Sequence, residues 1–434
     1  MGKKVIILGG GLSGISTAYF LQNNPDIDSI TILEKENTLG GLCRSFKTDY
    51  NLTYDIGPHI FFSKNKEVLD FMEDVMMPNI NTFRRSNIII HNNKYIQYPF
   101  ENDLSKLSRE EKARVDYTFK FNPYADLEAT DMRQFFLKTF GEEICKLYLL
   151  PYNEKIWKYD LSFMDLQMVE RIPKPTNEEL DRSLNGETVD GYLHQLNFSY
   201  PEKDGCQSFI DSFAKRLNNK VKIELNCQVS RITSTEVNNK TYDVLISTIP
   251  LNNFCTLFTP DIGKYEFPHI TQTADKLVYN GIVISIVNVE GDFGGNNFAF
   301  MNANKDIIFH RVSKIDYFGK NYHVPDTTTF MVETTYRNHS PQYVESYLNS
   351  EIEKGLLKLF GISIQVNHIE HKSFDYAYVI NDVNQIENKK KIFDYFKEYK
   401  NIYFAGRFGS WQYLNMDQVI ENAKNVTKEI SNEI

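Results

Sequence analysis

Cysteine is scarce in this 434-residue chain: five residues, Cys43, Cys145, Cys206, Cys227 and Cys255, odd in number and without CxxC spacing. That excludes a disulfide scaffold and a zinc-ribbon site, and reads as reduced thiols of a cytoplasmic protein. No metal centre is expected. Long apolar runs are also missing. Nothing approaches the roughly 18–20 consecutive apolar residues of a membrane span. The start, Met1 to Leu8, turns to glycine too early for a signal-peptide core, and Ile6 departs from a myristoylation motif. Charge of one sign is not concentrated. The 48 basic and 57 acidic residues are interspersed, with a net charge of −9, so nucleic acid is not expected as the main partner. Tryptophan is rare, at two residues, but the chain carries 26 Tyr and 31 Phe. Such a stock suits both a large core and a wet, stacking-rich pocket. Length alone suggests two or three packed units.

What is present begins at residue 4. Lys4 to Leu8 (KVIIL) reads as a buried parallel strand, and Gly9-Gly10-Gly11-Leu12-Ser13-Gly14 follows as a GxGxxG turn into a helix. A second strand, Ser29 to Leu33, ends in Glu34, twenty positions after Gly14. Each residue type has a task. Gly9 permits the tight turn, Gly11 lets the backbone approach a pyrophosphate, and Gly14 lets helix and strand pack closely. The helix N-terminus stabilises phosphate, and Glu34 can accept hydrogen bonds from ribose hydroxyls. The pattern predicts a dinucleotide site, and a carboxylate at the second strand end disfavours a 2′-phosphate.

Further elements are expected as helices at Lys66 to Met76, Met132 to Leu150, Cys206 to Leu217, Pro341 to Leu359 and Lys389 to Tyr399, with a last helix from Met416. Ile88 to Ile96 reads as a hairpin around Asn92-Asn93. Val221 to Leu225 and Tyr242 to Ile249 are expected to return to the nucleotide-binding sheet, and Asn401 to Ala405 is expected as a strand. Gly281 to Val289 is the clearest strand of a β-rich stretch from Lys276 to Tyr336. The expected architecture is α/β. A Rossmann-like domain is assembled from 1–100, 196–262 and 395–434, with a helical insert at 101–195 and a β-rich antiparallel insert at 263–394.

Gly40-Gly41, soon after Glu34, resembles the second glycine pair of FAD enzymes in the amine-oxidase and protoporphyrinogen-oxidase-like superfamily. Four more segments sharpen the likeness. Gly57-Pro58-His59-Ile60-Phe61, Tyr152-Asn153-Glu154-Lys155-Ile156-Trp157, Arg171-Ile172-Pro173 and the stretch from Gly406-Arg407 through Tyr413 to Met416-Asp417-Gln418 resemble segments of UDP-galactopyranose mutases. Phe309-His310-Arg311 is similar to their F-x-R strand. The chain departs from the pattern at Gln412, at Leu414-Asn415 and at Tyr376-Ala377-Tyr378-Val379, which bears on the sugar more than on the fold.

The resemblance implies a flavin-dependent isomerase that interconverts pyranose and furanose forms of a nucleotide-diphosphate sugar, in the service of polysaccharide building. The flavin is FAD in its reduced form, its N5 acting as nucleophile without net redox change, with an external reductant such as NAD(P)H to recharge it. Arg311 and Arg171 are expected on the diphosphate, where a planar fork meets phosphate oxygens. His59 and Arg407 are expected beside the flavin. Tyr413 and Tyr336 are expected as phenol donors to the diphosphate, Tyr152 and Trp157 at the nucleobase, and Tyr192 over the sugar. Gly9, Gly11, Gly14, Glu34, Gly40, Gly41, Gly57, Val229, Gly406, Met416 and Asp417 complete the expected FAD contacts. A homodimer is the expected assembly. The competing readings are an FAD oxidoreductase of the amine- or porphyrinogen-oxidase type, which would favour an apolar tunnel, and a non-catalytic FAD-binding module.

Overall fold

The first apolar run pairs on both sides. In this structure, a computed structural model describing residues 2–169, 172, 174–187, 196–361 and 365–433, strand Lys3–Leu8 lies at the centre of a five-stranded parallel sheet. The order is Ile402–Phe404, Val244–Ser247, Lys3–Leu8, Ile27–Leu33, Val221–Glu224. Parallel strands are covered on both faces, and Ile7, Leu8, Ile30, Ile32, Leu245 and Ile246 are accordingly buried. Helix Leu12–Leu21 packs beside helix Met416–Glu433, so the two ends of the chain cover one face together. The two strands expected to return join this sheet, and Ile402–Phe404 joins it as well.

A second sheet has seven strands in the order Val366–Val379, Tyr279–Glu290, Thr327–Tyr336, Arg311–Lys314, Ala299–Asn302, Asn87–His91, Lys94–Gln97. It is antiparallel except where Ala299–Asn302 runs parallel to Asn87–His91. Alternation sorts its faces. Val283, Val287 and Val332 meet helix Pro341–Phe360 through Leu348, Ile352 and Leu356. Ile282, Ile284 and Ile286 face the cluster that carries Ile56 and Phe61. The site lies on that second face.

The expected hairpin forms, with Asn92 and Asn93 at φ 48° and 60°. It extends the seven-stranded sheet, however, and so does not belong with the nucleotide-binding segment 1–100. The boundaries at 262/263 and 394/395 are also crossed by one core cluster, in which Phe254, Phe267, Ile392 and Phe396 pack together. Aromatic packing between these segments outweighs their separation in sequence.

In the helical insert, Arg109–Lys120 starts with a reciprocal Ser108–Glu111 capping box. The single helix expected from Met132 to Leu150 is broken. Met132–Ile144 carries a non-helical Gly141, a wide turn spans Cys145–Leu149, and Leu150–Trp157 follows. Among the described residues no helix is long and apolar enough to cross a membrane, and none of the five cysteines is disulfide-bonded.

Candidate active site

The glycine turn is packed to contact. A Cβ on Gly14 would sit 2.0 Å from the Gly9 carbonyl oxygen, so helix and strand meet there at backbone distance. Gly40 donates its N–H to the Gly10 carbonyl at 2.9 Å, and a Cβ on Gly41 would lie 3.1 Å from the Gly11 Cα. The two glycine segments therefore run backbone against backbone. The Glu34 carboxylate accepts the Gly10 N–H at 2.6 Å and the Glu36 N–H at 2.9 Å, which fixes it at the mouth of the turn.

Helix Leu12–Leu21 begins at Gly11 with no side-chain cap and no acid in its first turn. Its first N–H groups are left for an anion. The buried Ser13 Oγ likewise has no protein partner. These groups open on a cavity of about 870 Å³ that Gly9, Gly11, Glu34, Gly40, Gly41 and Met416 help to line. An uncapped helix start, an unpartnered hydroxyl and a cavity of this size fit a dinucleotide.

Gly406, with φ 81°, packs against Ser13 and donates its N–H to Asn422 Oδ1 at 2.7 Å. Met416 is the first residue of the last helix, as expected. Asp417 accepts the Ser63 hydroxyl at 2.7 Å and so braces the loop after His59. Val229 is buried in the core and does not line the cavity. The chain just before it, Asn226 and Cys227, bonds the backbone of Glu36 and Glu34, so Val229 supports the acidic strand end.

A smaller cavity of about 230 Å³ adjoins the first, and His59 and Arg407 line both. Arg407 donates to the carbonyls of Leu414 (2.8 and 2.6 Å) and Ala377 (3.0 Å) and lies 5.2 Å from the Tyr413 ring centre. It clamps the C-terminal turn to strand Val366–Val379. Gly57, at φ 81°, brings the His59 loop up to Glu333.

Across the cavity Arg311 makes a two-pronged pair with the fully buried Glu333, Nε to Oε1 at 2.5 Å and Nη2 to Oε2 at 2.7 Å. The two residues are opposite each other on adjacent strands. Burial works against the Arg311 charge, and Glu333 more than offsets it, so the guanidinium titrates above its ordinary value.

Burial, followed by the charges of Arg407 and Arg311, pushes the His59 imidazole down to about 3. His59 is therefore neutral at physiological pH, and its Nδ1 is buried with no protein partner. The folded value lies below the ordinary value of about 6.5, so the unfolded chain binds the extra proton between the two. The contribution of a neutral His59 is present above about pH 6.5 and is lost as pH falls toward 3. Urea unfolding from pH 7 to pH 4 should show a steeper loss of stability in the wild type than in His59→Gln; parallel curves would refute the buried neutral imidazole.

The helical insert meets this cavity through aromatic rings. Trp157 packs edge-on to Tyr378 and Tyr413 at 5.9 and 5.7 Å, and Tyr378 and Tyr413 line the cavity. Trp157 stands behind the phenols and does not itself line the cavity. Tyr152 stacks on Tyr148 at 4.9 Å, and its phenol lies within the field of Arg311. Tyr336 is a correction. It lies over Gly281, donates its hydroxyl to Asp375 at 2.9 Å, and lines neither cavity. A glycine on the paired strand gives the ring a shelf facing away from Arg311. Arg171 and Tyr192 lie outside the described residues.

Lys155 explains a motif residue without an expected role. Its buried ammonium reaches Asn302 Oδ1 (2.6 Å) and the carbonyls of Asn304 (2.5 Å), Asn302 (3.2 Å) and Phe309 (3.3 Å). It ties the helical insert to the connection that leads into Arg311. Glu333, Arg85 and Asn87 also line the smaller cavity and were absent from the sequence-based set. The signal for Glu333 was a lone acid in the run Phe330-Met331-Val332-Glu333-Thr334-Thr335. Arg85 and Asn87 left none, because the hairpin beside them was placed with the nucleotide-binding segment 1–100 and not with the seven-stranded sheet.

Among known proteins, UDP-galactopyranose mutase of Mycoplasma genitalium is 26% identical over 235 residues, covering 52% of this chain and 54% of that protein. The aligned part thus spans about half the length of that relative. dTDP-fucopyranose mutase of Escherichia coli is 23% identical over 432 residues, covering 97% and 96% of the two chains. A crystal structure of reduced UDP-galactopyranose mutase superposes with a TM-score of 0.89 at 21% identity, over 100% of this chain and 95% of that one, and shares the fold. Residues 12–431 match the family described as flavin containing amine oxidoreductase, nearly the whole length, and with the glycine turns and the two joined cavities in place the chain belongs to that family.

Proposed function

We propose that this protein is an FAD-dependent mutase that interconverts pyranose and furanose forms of a nucleotide-diphosphate sugar. The observation that carries the reading is Arg311, held in a two-pronged pair by the buried Glu333 in a cavity that joins the dinucleotide cavity at His59 and Arg407. A fixed guanidinium there stabilises a diphosphate as charge grows on its bridging oxygen. An amine substrate, itself cationic, gives no reason to place arginines around so small a pocket. When bound, reduced FAD would supply nucleophilic chemistry at the sugar's anomeric centre.

The chain's own residues do the rest. Glu34 and the N–H groups at Gly11 to Ser13 hold the ribose and diphosphate of the cofactor, and Met416 closes its other end. Arg407 orients the Tyr413 phenol, and with Arg171 from the helical insert these groups retain the leaving diphosphate for recapture. Tyr152 and Trp157 form the nucleobase side. His59, neutral, offers a hydrogen bond beside the flavin without adding charge.

The test is incubation of the dithionite-reduced holoenzyme with nucleotide sugars, followed by chromatography. Ring isomers should form with no NAD(P)H consumed per turnover. Stoichiometric oxidation of a reductant, or peroxide released with each product, would favour an oxidase instead.

A further inference from the structure

Helix Leu150–Trp157 ends on the seven-stranded sheet, and side chains of the sheet take its last carbonyls. Thr335 donates its hydroxyl to the Lys155 carbonyl at 3.0 Å. Asn280 donates its amide to the carbonyls of Ile156 and Trp157 at 3.0 and 2.6 Å. The acceptors that a helix end leaves open are thereby used to dock it. Lys155 is held at its other end as well. Its ammonium shares three hydrogens among four uncharged oxygens: Asn302 Oδ1 and the carbonyls of Asn302, Asn304 and Phe309. Asn302 closes the neck of that connection. Its side-chain amide donates to the Phe309 carbonyl at 3.1 Å, and its N–H donates to the His310 carbonyl at 3.2 Å. Arg311 comes next in the chain and pairs in register with Met301.

One residue therefore touches both strands of the Arg311–Glu333 pair. Thr335 stands two positions after Glu333 on strand Thr327–Tyr336, and Phe309 stands two positions before Arg311. The helix that supplies Lys155 also carries Tyr152 and Trp157. Lys155, Asn302, Phe309, His310 and Thr335 are all buried, so a hydrogen bond lost among them leaves a desolvated polar group behind. Lys155 itself lines neither cavity and acts through what it holds. Glu333 sets the orientation of the Arg311 fork. Lys155 sets where the strand bearing that fork lies relative to the helix.

We propose that Lys155 is a positioning residue for Arg311: gripping the neck before Arg311 from the helix of Tyr152 and Trp157, it fixes the separation between the nucleobase side of the cavity and the guanidinium that retains the diphosphate. The inference rests on the mutase reading above and deepens it. A diphosphate that leaves and returns must meet the guanidinium at the same place twice, and a misplacement of about 1 Å can cost a hundredfold in rate. Lysine suits the task, because a compact ammonium with rotatable donors converges on four oxygens where a planar guanidinium would not.

Lys155→Met keeps the side chain's reach and removes its donors. The assay uses reduced holoenzyme and whichever of UDP-galactose, UDP-glucose and dTDP-fucose the wild type isomerises fastest. In Lys155→Met kcat should fall about thirtyfold while KM rises less than fivefold, with FAD occupancy unchanged. Lys155→Arg should recover part of the loss. Arg311 decides whether the loss is positional. In an Arg311→Ala background, Lys155→Met should lower kcat less than threefold further, since no guanidinium is left to misplace. The same fold loss in both backgrounds would mark a merely structural lysine and overturn the inference, as would wild-type kcat in Lys155→Met. Asn302→Ala loosens the same neck, and its passage through the same cycle decides the question if the methionine variant fails to hold flavin. Absence of ring isomers from the wild type with all three sugars would defeat the mutase reading, and the cycle would then be run on UDP binding. By calorimetry on oxidised holoenzyme, Lys155→Met should weaken UDP about threefold with Arg311 present and not with Arg311 absent; equal weakening in both would overturn the coupling.

Discussion

Arg311→Ala should lower turnover about a hundredfold and lower stability as well. The kinetic part follows from position. Arg311 projects from a paired strand into the cavity, and a preorganised charged donor of this kind contributes roughly 3 kcal/mol to a transition state in which negative charge grows. Turnover should therefore fall more than binding weakens. The stability part follows from Glu333. Its carboxylate is fully buried and answered by Arg311, and stripping a buried pair of one partner typically costs about 3–5 kcal/mol. Alanine confounds the two effects. Arg311→Lys keeps a positive charge beside Glu333 but loses the planar fork; it should retain flavin and most of its stability while turnover drops at least tenfold. Glu333→Gln should keep the shape, loosen the fork and lower kcat with little loss of FAD. Kinetics on the cognate nucleotide sugar, flavin occupancy and thermal unfolding together separate the outcomes. Near-wild-type turnover in Arg311→Lys would falsify the requirement for a bidentate guanidinium.

Gly14→Ala should abolish stable flavin binding. The added methyl would meet the Gly9 carbonyl oxygen at 2.0 Å, far inside contact distance, and the obstacle is backbone that cannot rotate away. The helix would have to move off strand Lys3–Leu8, taking with it the uncapped N–H groups that face the large cavity. Flavin absorbance per protein should fall below about a tenth of wild type, with loss of activity following from loss of cofactor. Gly263→Ala is the control. Gly263 has a positive φ of 97° but nothing within 4 Å of the added Cβ, so it carries backbone strain without steric conflict and should retain flavin. Full occupancy in Gly14→Ala would mean that the helix start does not hold the diphosphate.

The glycine turns of the candidate site were legible because their determinants are local. Gly9, Gly11, Gly14, Gly40 and Gly41 act through backbone geometry close to one strand-turn-helix-strand unit, the Glu34 carboxylate binds the Gly10 N–H of the same turn, and a turn that only glycine can make is written in the residue itself. The hairpin at Asn92-Asn93 was legible for the same reason: two asparagines at positive φ mark a turn whatever sheet it joins. Which sheet the hairpin joins was decided only by the tertiary structure, because strands of either sheet show the same alternation and pairing depends on contacts more than two hundred residues away, Asn87 with Ala299. The substrate half of the site was decided at the same level. Glu333 matters through its cross-strand partner, Tyr336 faces Asp375 because Gly281 makes room for it, and Lys155 acts through carbonyls about 150 residues further on. A residue's type announces the chemistry it can perform. The partner it performs it with is set by how distant strands pack.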